Sequence, residues 1–192
     1  MVDLVCMQKV IEVLKNGGAG VLPTDTLYGV VASAFSEEAI SRIYSLKGRD
    51  ENKPFIILIS SINDLGKFGV KLSEKQKKFL KSVWPGRVSV VLKCALKKFE
   101  YLHRGGKTLA FRLPADDALI GLLSKTGPLV APSANPQGMP PAATATAAKN
   151  YFGKKLDFYI SGGRREGLPS MVVSLVGKEP RILRGALLSL KS

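Results

Sequence analysis

The sequence predicts an α/β or α+β protein in which helices cover an open β-sheet of mixed direction. Short apolar runs typical of strands mix with segments of helical periodicity along the chain. These elements do not follow strict βαβ alternation, which favours a mixed sheet over an all-parallel one. A hydrophobic fraction of 45% in 192 residues suffices for a full core. The length favours a single domain over residues 1–192.

The first half of the chain alternates between predicted helices and strands. Residues 7–15 carry apolar side chains at helical spacing, and the glycine pair at 17–18 ends that helix. Ser36 is the predicted N-cap of a second helix, and Ser73 forms a capping box with Gln76 ahead of a third. The predicted helices cover 7–15, 37–46 and 73 to about 83, and the predicted strands cover 19–22, 55–59 and 88–92.

The second half adds two helices and five strands. Asp116 and Asp117 are typical of a helix N-terminus, where a carboxylate accepts main-chain N–H groups and complements the helix dipole. The predicted helices cover 116–125 and about 142–152, and the predicted strands cover 109–113, 129–131, 158–160, 172–176 and 182–183.

The usual catalytic constellations are missing. His103 is the one histidine, which leaves little material for a His-based triad or a multi-histidine metal site, and its neighbours Leu-His-Arg-Gly-Gly predict an exposed loop position. Cys6 and Cys94 are too few for a disulfide framework or a zinc site, which predicts buried free thiols in a cytoplasmic protein. The sequence lacks a P-loop motif, and no apolar run approaches the ~18 residues that span a bilayer.

The net charge of +14 is concentrated in one segment. Residues 67–107 carry twelve Lys or Arg against Glu74 and Glu100, which leaves +10 there. Two interpretations remain open at this point. The segment either contacts RNA, DNA or an anionic surface, or forms a lysine-rich face that only solvent contacts.

Residues 23–54 contain the strongest candidate binding site. The motif PTDTLYG places hydroxyl groups on a turn, and the cations Lys47, Arg49 and Lys53 follow. Hydroxyls and closely spaced cations on loops suit a nucleotide phosphate. If the segment is extended, Lys47 and Arg49 project to the same side and repel each other unless an anion lies between them. A surface turn salt-bridged by the acids at 50–51 explains the same pattern.

Two later segments offer further polar groups. Ser133 and Asn135 follow a short apolar strand, and a hydroxyl with an amide suits a nucleotide base, ribose or phosphate, although an ordinary turn is the alternative. Strand alternation places Thr108 and Arg112 on one face, which suits a carboxylate or phosphate ligand. An exposed strand face is the alternative for that pair.

The order of these motifs resembles that of the YrdC/TsaC family of threonylcarbamoyl-AMP synthases. PTDTLYG, KGR, WPG, TLAFRLP, PLVAPSANPQG and ILRG follow one another over about residues 8–185. The resemblance implies a twisted open sheet around a large, concave, basic cavity. It implies a nucleotidyltransferase that condenses L-threonine, bicarbonate and ATP into threonylcarbamoyl-AMP and pyrophosphate, for threonylcarbamoyladenosine modification of tRNA.

The resemblance also assigns roles to residues of this chain. The catalytic pair is implied to be Lys47 and Arg49. The implied ATP contacts are Arg49, Lys53, Thr108, Ser133, Asn135 and Arg184. The implied L-threonine contacts are Thr26, Tyr28, Arg112 and Ser170. No protein-held metal is implied, because Mg²⁺ arrives with ATP.

The implied partners are tRNA or double-stranded RNA and the proteins of the threonylcarbamoyl-transferase complex, with no membrane. Two alternatives stay open: an RNA-binding module of the same fold without turnover, and a related carbamoyl-adenylate-forming activity. The chain departs from the family pattern at residues 167–174, which read GLPSMVVS where many relatives read GxESTVVD. It also lacks a proline after Arg184, and Leu58 stands where longer relatives have a threonine-binding histidine.

Overall fold

The computed structural model describes residues 4–185, in which helices pack around one sheet. The helices are α1 (Leu4–Lys15), α2 (Glu37–Lys47), α3 (Glu74–Val83), α4 (Glu100–His103), α5 (Asp117–Thr126) and α6 (Ala145–Phe152). The strands are β1 (Ala19–Pro23), β2 (Tyr28–Ser33), β3 (Ile56–Leu58), β4 (Val88–Lys93), β5 (Thr108–Arg112), β6 (Leu129–Val130), β7 (Phe158–Tyr159), β8 (Met171–Ser174) and β9 (Arg181–Arg184). Short 3-10 helices cover Ile62–Phe68, Lys97–Phe99 and Gly153–Lys155. The predicted domain span of 1–192 includes two ends that lie outside the described residues.

The nine strands form one sheet of mixed direction, in the order β7-β1-β2-β6-β3-β5-β4-β8-β9. The pairs β1–β7, β3–β5 and β4–β8 are parallel, and the other neighbours are antiparallel. This arrangement confirms the predicted mixed sheet with covering helices. None of the helices within residues 4–185 has the length and apolarity that a membrane span requires.

Side-chain caps determine where three helices begin, as predicted. Ser36 accepts a main-chain N–H at the start of α2, and Asp116 does the same for α5. Ser73 and Gln76 form the reciprocal capping box of α3. A cap of this kind contributes about 1 kcal/mol. At its other end α2 stops at Gly48, whose φ of 56° is a left-handed conformation that glycine adopts without a Cβ clash.

The central strands are buried because apolar layers cover both faces of the sheet. Ile57 and Leu58 are adjacent on β3 and therefore point to opposite faces, yet both are 0% exposed. Ile57 belongs to the core that includes α2 and Phe111, whereas Leu58 packs with residues of α1 and α5. Burial on both faces explains why residues 55–59 are apolar without alternation.

Three features of the fold differ from the sequence-based expectations. The prediction of buried thiols is wrong for Cys6, which is exposed on α1, whereas Cys94 is buried. Strand β2 was not predicted, although it lies inside the sheet and pairs with β1 over five positions. The prediction of an exposed loop around His103 is wrong, since His103 ends α4 and is 4% exposed. The neighbouring Phe99 and Leu102 belong to the core and hold this short helix against it.

Candidate functional site

A cavity of about 820 Å³ lies at the sheet, and chain segments far apart in sequence form its wall. The turn before β2, the loop after α2, one face of β5, the loop after β6 and the loop before β8 all contribute. Its volume falls within the range of about 300–1,000 Å³ that is usual for small-molecule sites. The cavity is therefore the candidate functional site.

Eight of the eleven predicted site residues line this cavity. They are Thr26, Tyr28, Arg49, Thr108, Arg112, Ser133, Ser170 and Arg184. Lys47, Lys53 and Asn135 are not among the lining residues. The ligand contacts assigned to all eleven stay predictions.

Lys47 and Arg49 occupy different environments. The expectation that they share an extended segment is wrong, because α2 continues through Lys47 and the chain turns at Gly48. Lys47 is 3% exposed, whereas Arg49 lies on the cavity wall and its Nε donates to the carbonyl of Lys53 at 3.0 Å. Neither Lys47 nor Arg49 takes part in an ion pair among residues 4–185, which disfavours a salt-bridged surface turn.

Lys47 joins the end of α2 to the loop after β6. Its Nζ donates to the carbonyl of Ser133 at 2.5 Å and to that of Asn135. Its own carbonyl accepts the N–H of Gln137 at 2.7 Å. Burial, together with the nearby charge of Arg49, lowers the pKa of Lys47 to about 8. The ammonium thus lies directly beneath the segment that carries the predicted Ser-Asn pair.

Within that segment Ser133 and Asn135 contact each other. The hydroxyl of Ser133 donates to Oδ1 of Asn135 at 2.6 Å. The amide of Asn135 donates to the carbonyls of Pro136 at 3.0 Å and Met139 at 2.7 Å. Asn135 therefore shapes the loop, while Ser133 lies on the cavity wall.

Arg112 forms a buried ion pair that was not predicted. Its Nη1 donates to Oδ1 of Asp25 at 2.7 Å, and the two side chains are only 5% and 6% exposed. Burial lowers the pKa of Arg112, and the charge of Asp25 opposes that shift. Nε of Arg112 is buried and has no hydrogen-bond partner within residues 4–185. The pair fixes the guanidinium at the cavity wall and uses one of its five N–H groups.

Hydroxyl groups of the PTDTLYG motif organise the turn before β2 and the loop that Tyr28 contacts. The hydroxyl of Thr24 donates to the carbonyl of Leu27 at 2.8 Å, so at 3.0 Å it accepts the hydroxyl proton of Thr26. Tyr28 donates to the carbonyl of Gly163 at 2.6 Å and accepts the N–H of Gly162 at 2.9 Å. Tyr28 thus anchors the loop before β8.

Ser170 and Arg184 are in direct contact. Arg184 donates from Nη2 and Nε to the carbonyl of Ser170, at 2.9 Å and 3.2 Å. The hydroxyl of Ser170 lies 2.9 Å from that of Ser89. Burial lowers the pKa of Arg184, and the charge of Arg49 adds to the effect.

The loop before β8 adds two charged residues that sequence reasoning missed, Arg165 and Glu166. The N–H of Arg165 donates to the carbonyl of Ala143 at 2.8 Å. Nε of Arg165 is buried, with no partner among the described residues. The Arg-Arg-Glu run carried no sequence signal that set it apart from a solvated loop.

A comparison with protein families identifies the fold and its relatives. The model of the Sua5, YciO and YrdC family, described as telomere recombination, matches residues 12–186. The chain belongs to this family. Among curated proteins of the Sua5/YciO/YrdC family, the threonylcarbamoyl-AMP synthase of Pyrococcus abyssi is 33% identical over 174 residues, which cover 89% of this chain and 51% of that protein. The threonylcarbamoyl-AMP synthase of Nitrosococcus oceani is 32% identical over 159 residues, which cover 81% of this chain and 86% of that protein.

A solved Sua5/YciO/YrdC structure, that of P. abyssi Sua5 complexed with L-threonine, superposes with a TM-score of 0.89 at 30% identity. The superposition covers 96% of this chain and 55% of that protein. The chain therefore spans about half the length of the P. abyssi relative. The agreement confirms the predicted family and the predicted YrdC-like sheet.

Proposed function

We propose that this chain is a threonylcarbamoyl-AMP synthase, which uses ATP, L-threonine and bicarbonate as substrates. The relatives from P. abyssi and N. oceani bear this name, and the similar Sua5 structure contains L-threonine. The observation that carries the proposal is the cavity wall, which brings together eight of the eleven residues that the family resemblance assigns to catalysis or to the substrates. The volume of about 820 Å³ lies toward the upper end of the usual range, as two substrates require.

The proposed reaction needs positioning and charge neutralisation more than acid–base chemistry. The amine of threonine and bicarbonate form a carbamate with loss of water. A carbamate oxygen then bonds to the α-phosphorus of ATP, and the bond from that phosphorus to pyrophosphate breaks. Because the attacking oxygen is already anionic, no strong general base is required. Arginines and hydroxyl groups predominate among the polar residues described in the lining, and neither histidine nor cysteine is among them.

In this proposal two arginines bind the phosphates of ATP and a third binds threonine. The charge of Arg49 contributes to the lowered pKa of Arg184, and a phosphate between the two guanidinium groups would relieve that repulsion. A remaining N–H of the Arg112 guanidinium would donate to the carboxylate of threonine, while Asp25 holds Nη1. Lys47 would add its charge from beneath the loop after β6.

Hydroxyl groups would complete both subsites. We assign Thr108 and Ser133 to ATP and Thr26 and Ser170 to threonine, since all four line the cavity. Tyr28 would act mainly through the loop that it anchors. Lys53 and Asn135 stay predicted ATP contacts.

We further propose that the enzyme is a cytoplasmic, single-domain nucleotidyltransferase to which ATP brings Mg²⁺. Its product would pass to proteins of a threonylcarbamoyl-transferase complex for attachment to tRNA. The exposed basic segment supports contact with tRNA or double-stranded RNA, because eleven of its twelve cations are exposed. Filter binding to tRNA at increasing salt tests this: affinity should fall steeply, and salt-insensitive or absent binding would contradict it.

Pyrophosphate release on mixing the protein with ATP, L-threonine, bicarbonate and Mg²⁺ tests the proposed activity. Release should require L-threonine. Release without threonine, on addition of carbamoyl phosphate, would instead support the carbamoyl-adenylate alternative. Failure to release pyrophosphate beside a working control enzyme would contradict both activities, and RNA binding under those conditions would favour the module without turnover.

A further inference from the structure

A stack of cations and aromatic rings runs from the cavity wall to the end of α4. The rings of Tyr44 and Phe55 are nearly parallel, with centroids 4.1 Å apart and an interplanar angle of 21°. The guanidinium of Arg49 lies over Phe55 at 5.3 Å from the ring centroid. The guanidinium of Arg104 lies over Tyr44 at 4.4 Å. We call these four residues the cation–aromatic stack.

Hydrogen bonds and an ion pair reinforce the cation–aromatic stack. The hydroxyl of Tyr44 donates to the carbonyl of Lys53 at 3.1 Å, and Nε of Arg49 donates to the same carbonyl at 3.0 Å. Arg104 contacts the carboxylate of Glu51 at 3.5 Å. The loop after α2 is therefore held at three points: by the ring stack, by the shared carbonyl and by Arg104.

Arg104 is held in an unusual position for a residue outside the cavity. Its φ of 48° is left-handed, a conformation that costs free energy for any residue with a Cβ. Its side chain is nevertheless only 19% exposed, since it packs over Tyr44. Both rings of the stack are 3% exposed. The proposed reaction uses neither Arg104 nor Tyr44, so this cluster calls for a different explanation.

We propose that Arg104, Tyr44 and Phe55 are positioning residues that hold the guanidinium of Arg49 on the cavity wall. An arginine that is already fixed loses less conformational entropy when an anion binds. Arg104 acts through Tyr44, and Tyr44 acts through Phe55. The consequence for ATP rests on the proposed function, whereas the position of Arg49 does not.

NMR of arginine side chains tests the position of Arg49 without any substrate. The ring of Phe55 should shift the side-chain protons of Arg49 upfield, and the bond to Lys53 should slow exchange of its Nε proton. The side-chain signals of Arg49 are assigned as those that disappear from the spectrum of the Arg49→Lys variant. In Arg104→Ala we expect a smaller upfield shift and faster exchange. If the upfield shift and the exchange rate in Arg104→Ala are the same as in the wild type, the stack does not position Arg49 and the proposal is wrong.

Kinetics then separate positioning from a general loss of structure. Arg104→Ala should raise KM for ATP about two- to five-fold, the low end of what a cation–π contact is worth, because Arg104 acts on Arg49 through two rings, with KM for L-threonine unchanged. Arg104→Lys should recover part of this loss. Lys125→Ala is the control, because it removes an exposed cation of α5 that lies outside both the cavity lining and the basic segment, and it should leave both constants unchanged.

Substitutions of the buried ring complete the test. Tyr44→Phe keeps the stacked ring, so the side-chain protons of Arg49 should keep their upfield NMR shift. Tyr44→Leu removes the ring, and the upfield shift should be lost. Equal changes in KM for both substrates in Arg104→Ala would overturn the proposal. If the wild type shows no turnover, the proposed function fails, and the NMR spectra decide the positioning role on their own.

Discussion

The ion pair between Asp25 and Arg112 should be among the most costly polar interactions to break in this protein. Each partner is at most 6% exposed, so removing one leaves the other charge buried without compensation. Such a loss costs about 3–5 kcal/mol. For a domain of this size each kcal/mol lowers Tm by about 2–4 °C, so Asp25→Asn or Arg112→Met should lower it by about 6–20 °C.

A double-mutant cycle measures whether the two charges depend on each other. Asp25→Asn combined with Arg112→Met removes both charges, so its cost should be smaller than the sum of the single costs by about 1–3 kcal/mol. Chemical denaturation with matched m-values provides the free energies of unfolding. Glu179→Gln is the control, because the pair of Glu179 with Lys75 has the same 2.7 Å separation at 74% and 69% exposure. That control should change the free energy by no more than about 1 kcal/mol.

The cycle can refute this account of Arg112. If Asp25→Asn and Arg112→Met each lose no more free energy of unfolding than Glu179→Gln, the pair of Asp25 and Arg112 is not effectively buried. Strict additivity would show that Asp25 does not hold the guanidinium. In either case the inference that the guanidinium of Arg112 is fixed for a ligand would fail.

Three further predictions concern the cavity and its supports. Arg49→Ala should lower kcat/KM for ATP by about 100-fold with little change in Tm, because it removes a fixed cation from developing charge. Steady-state kinetics checks this against Arg181→Ala, which removes an exposed arginine outside the lining, and equal losses in both variants would contradict it. Folding lowers the pKa of Lys47 from 10.5 to about 8, so between these values the unfolded chain binds more protons and stability attributable to Lys47 increases with pH. Denaturation at several pH values should therefore show that the free energy of unfolding of the wild type rises relative to that of Lys47→Met between pH about 8 and 10.5. A difference between the two proteins that does not change with pH would refute the lowered pKa of Lys47. Gly167→Ala should raise KM for L-threonine, because a Cβ there would lie 2.6 Å from the carbonyl oxygen of Thr26 and displace the loop. Gly121→Ala has no atom within 4 Å of its Cβ and should leave KM unchanged, so a similar KM in both variants would rule out this steric account.

Local chemistry made much of the fold predictable. Ser36, Ser73 and Asp116 are short polar residues ahead of helical periodicity, and each caps a helix in the structure. Strand β2 escaped prediction because its residues follow the PTDTLYG turn directly, with no break that separates turn from strand. His103 was misplaced because Gly105 and Gly106 suggest a loop, whereas the core contacts of Leu102 decide its burial.

The site was predictable in part because its motifs bring residue types that suit phosphate and carboxylate. Alternation placed Thr108 and Arg112 on one face of β5, and both line the cavity. Contacts between residues far apart in the chain could not be predicted from the sequence. Asp25 meets Arg112 across 87 positions of sequence, and Lys47 meets Ser133 across 86. No local pattern identifies which acid or carbonyl a buried cation will contact.

The most direct test of the proposed reaction follows the carbon of bicarbonate into the product. The protein is incubated with ATP, L-threonine, Mg²⁺ and ¹³C-bicarbonate, and the nucleotide products are identified by mass spectrometry. The proposed reaction predicts threonylcarbamoyl-AMP that carries the label, formed in step with pyrophosphate and absent when threonine is omitted. Hydrolysis of ATP to ADP, or a nucleotide product without the label, would contradict it.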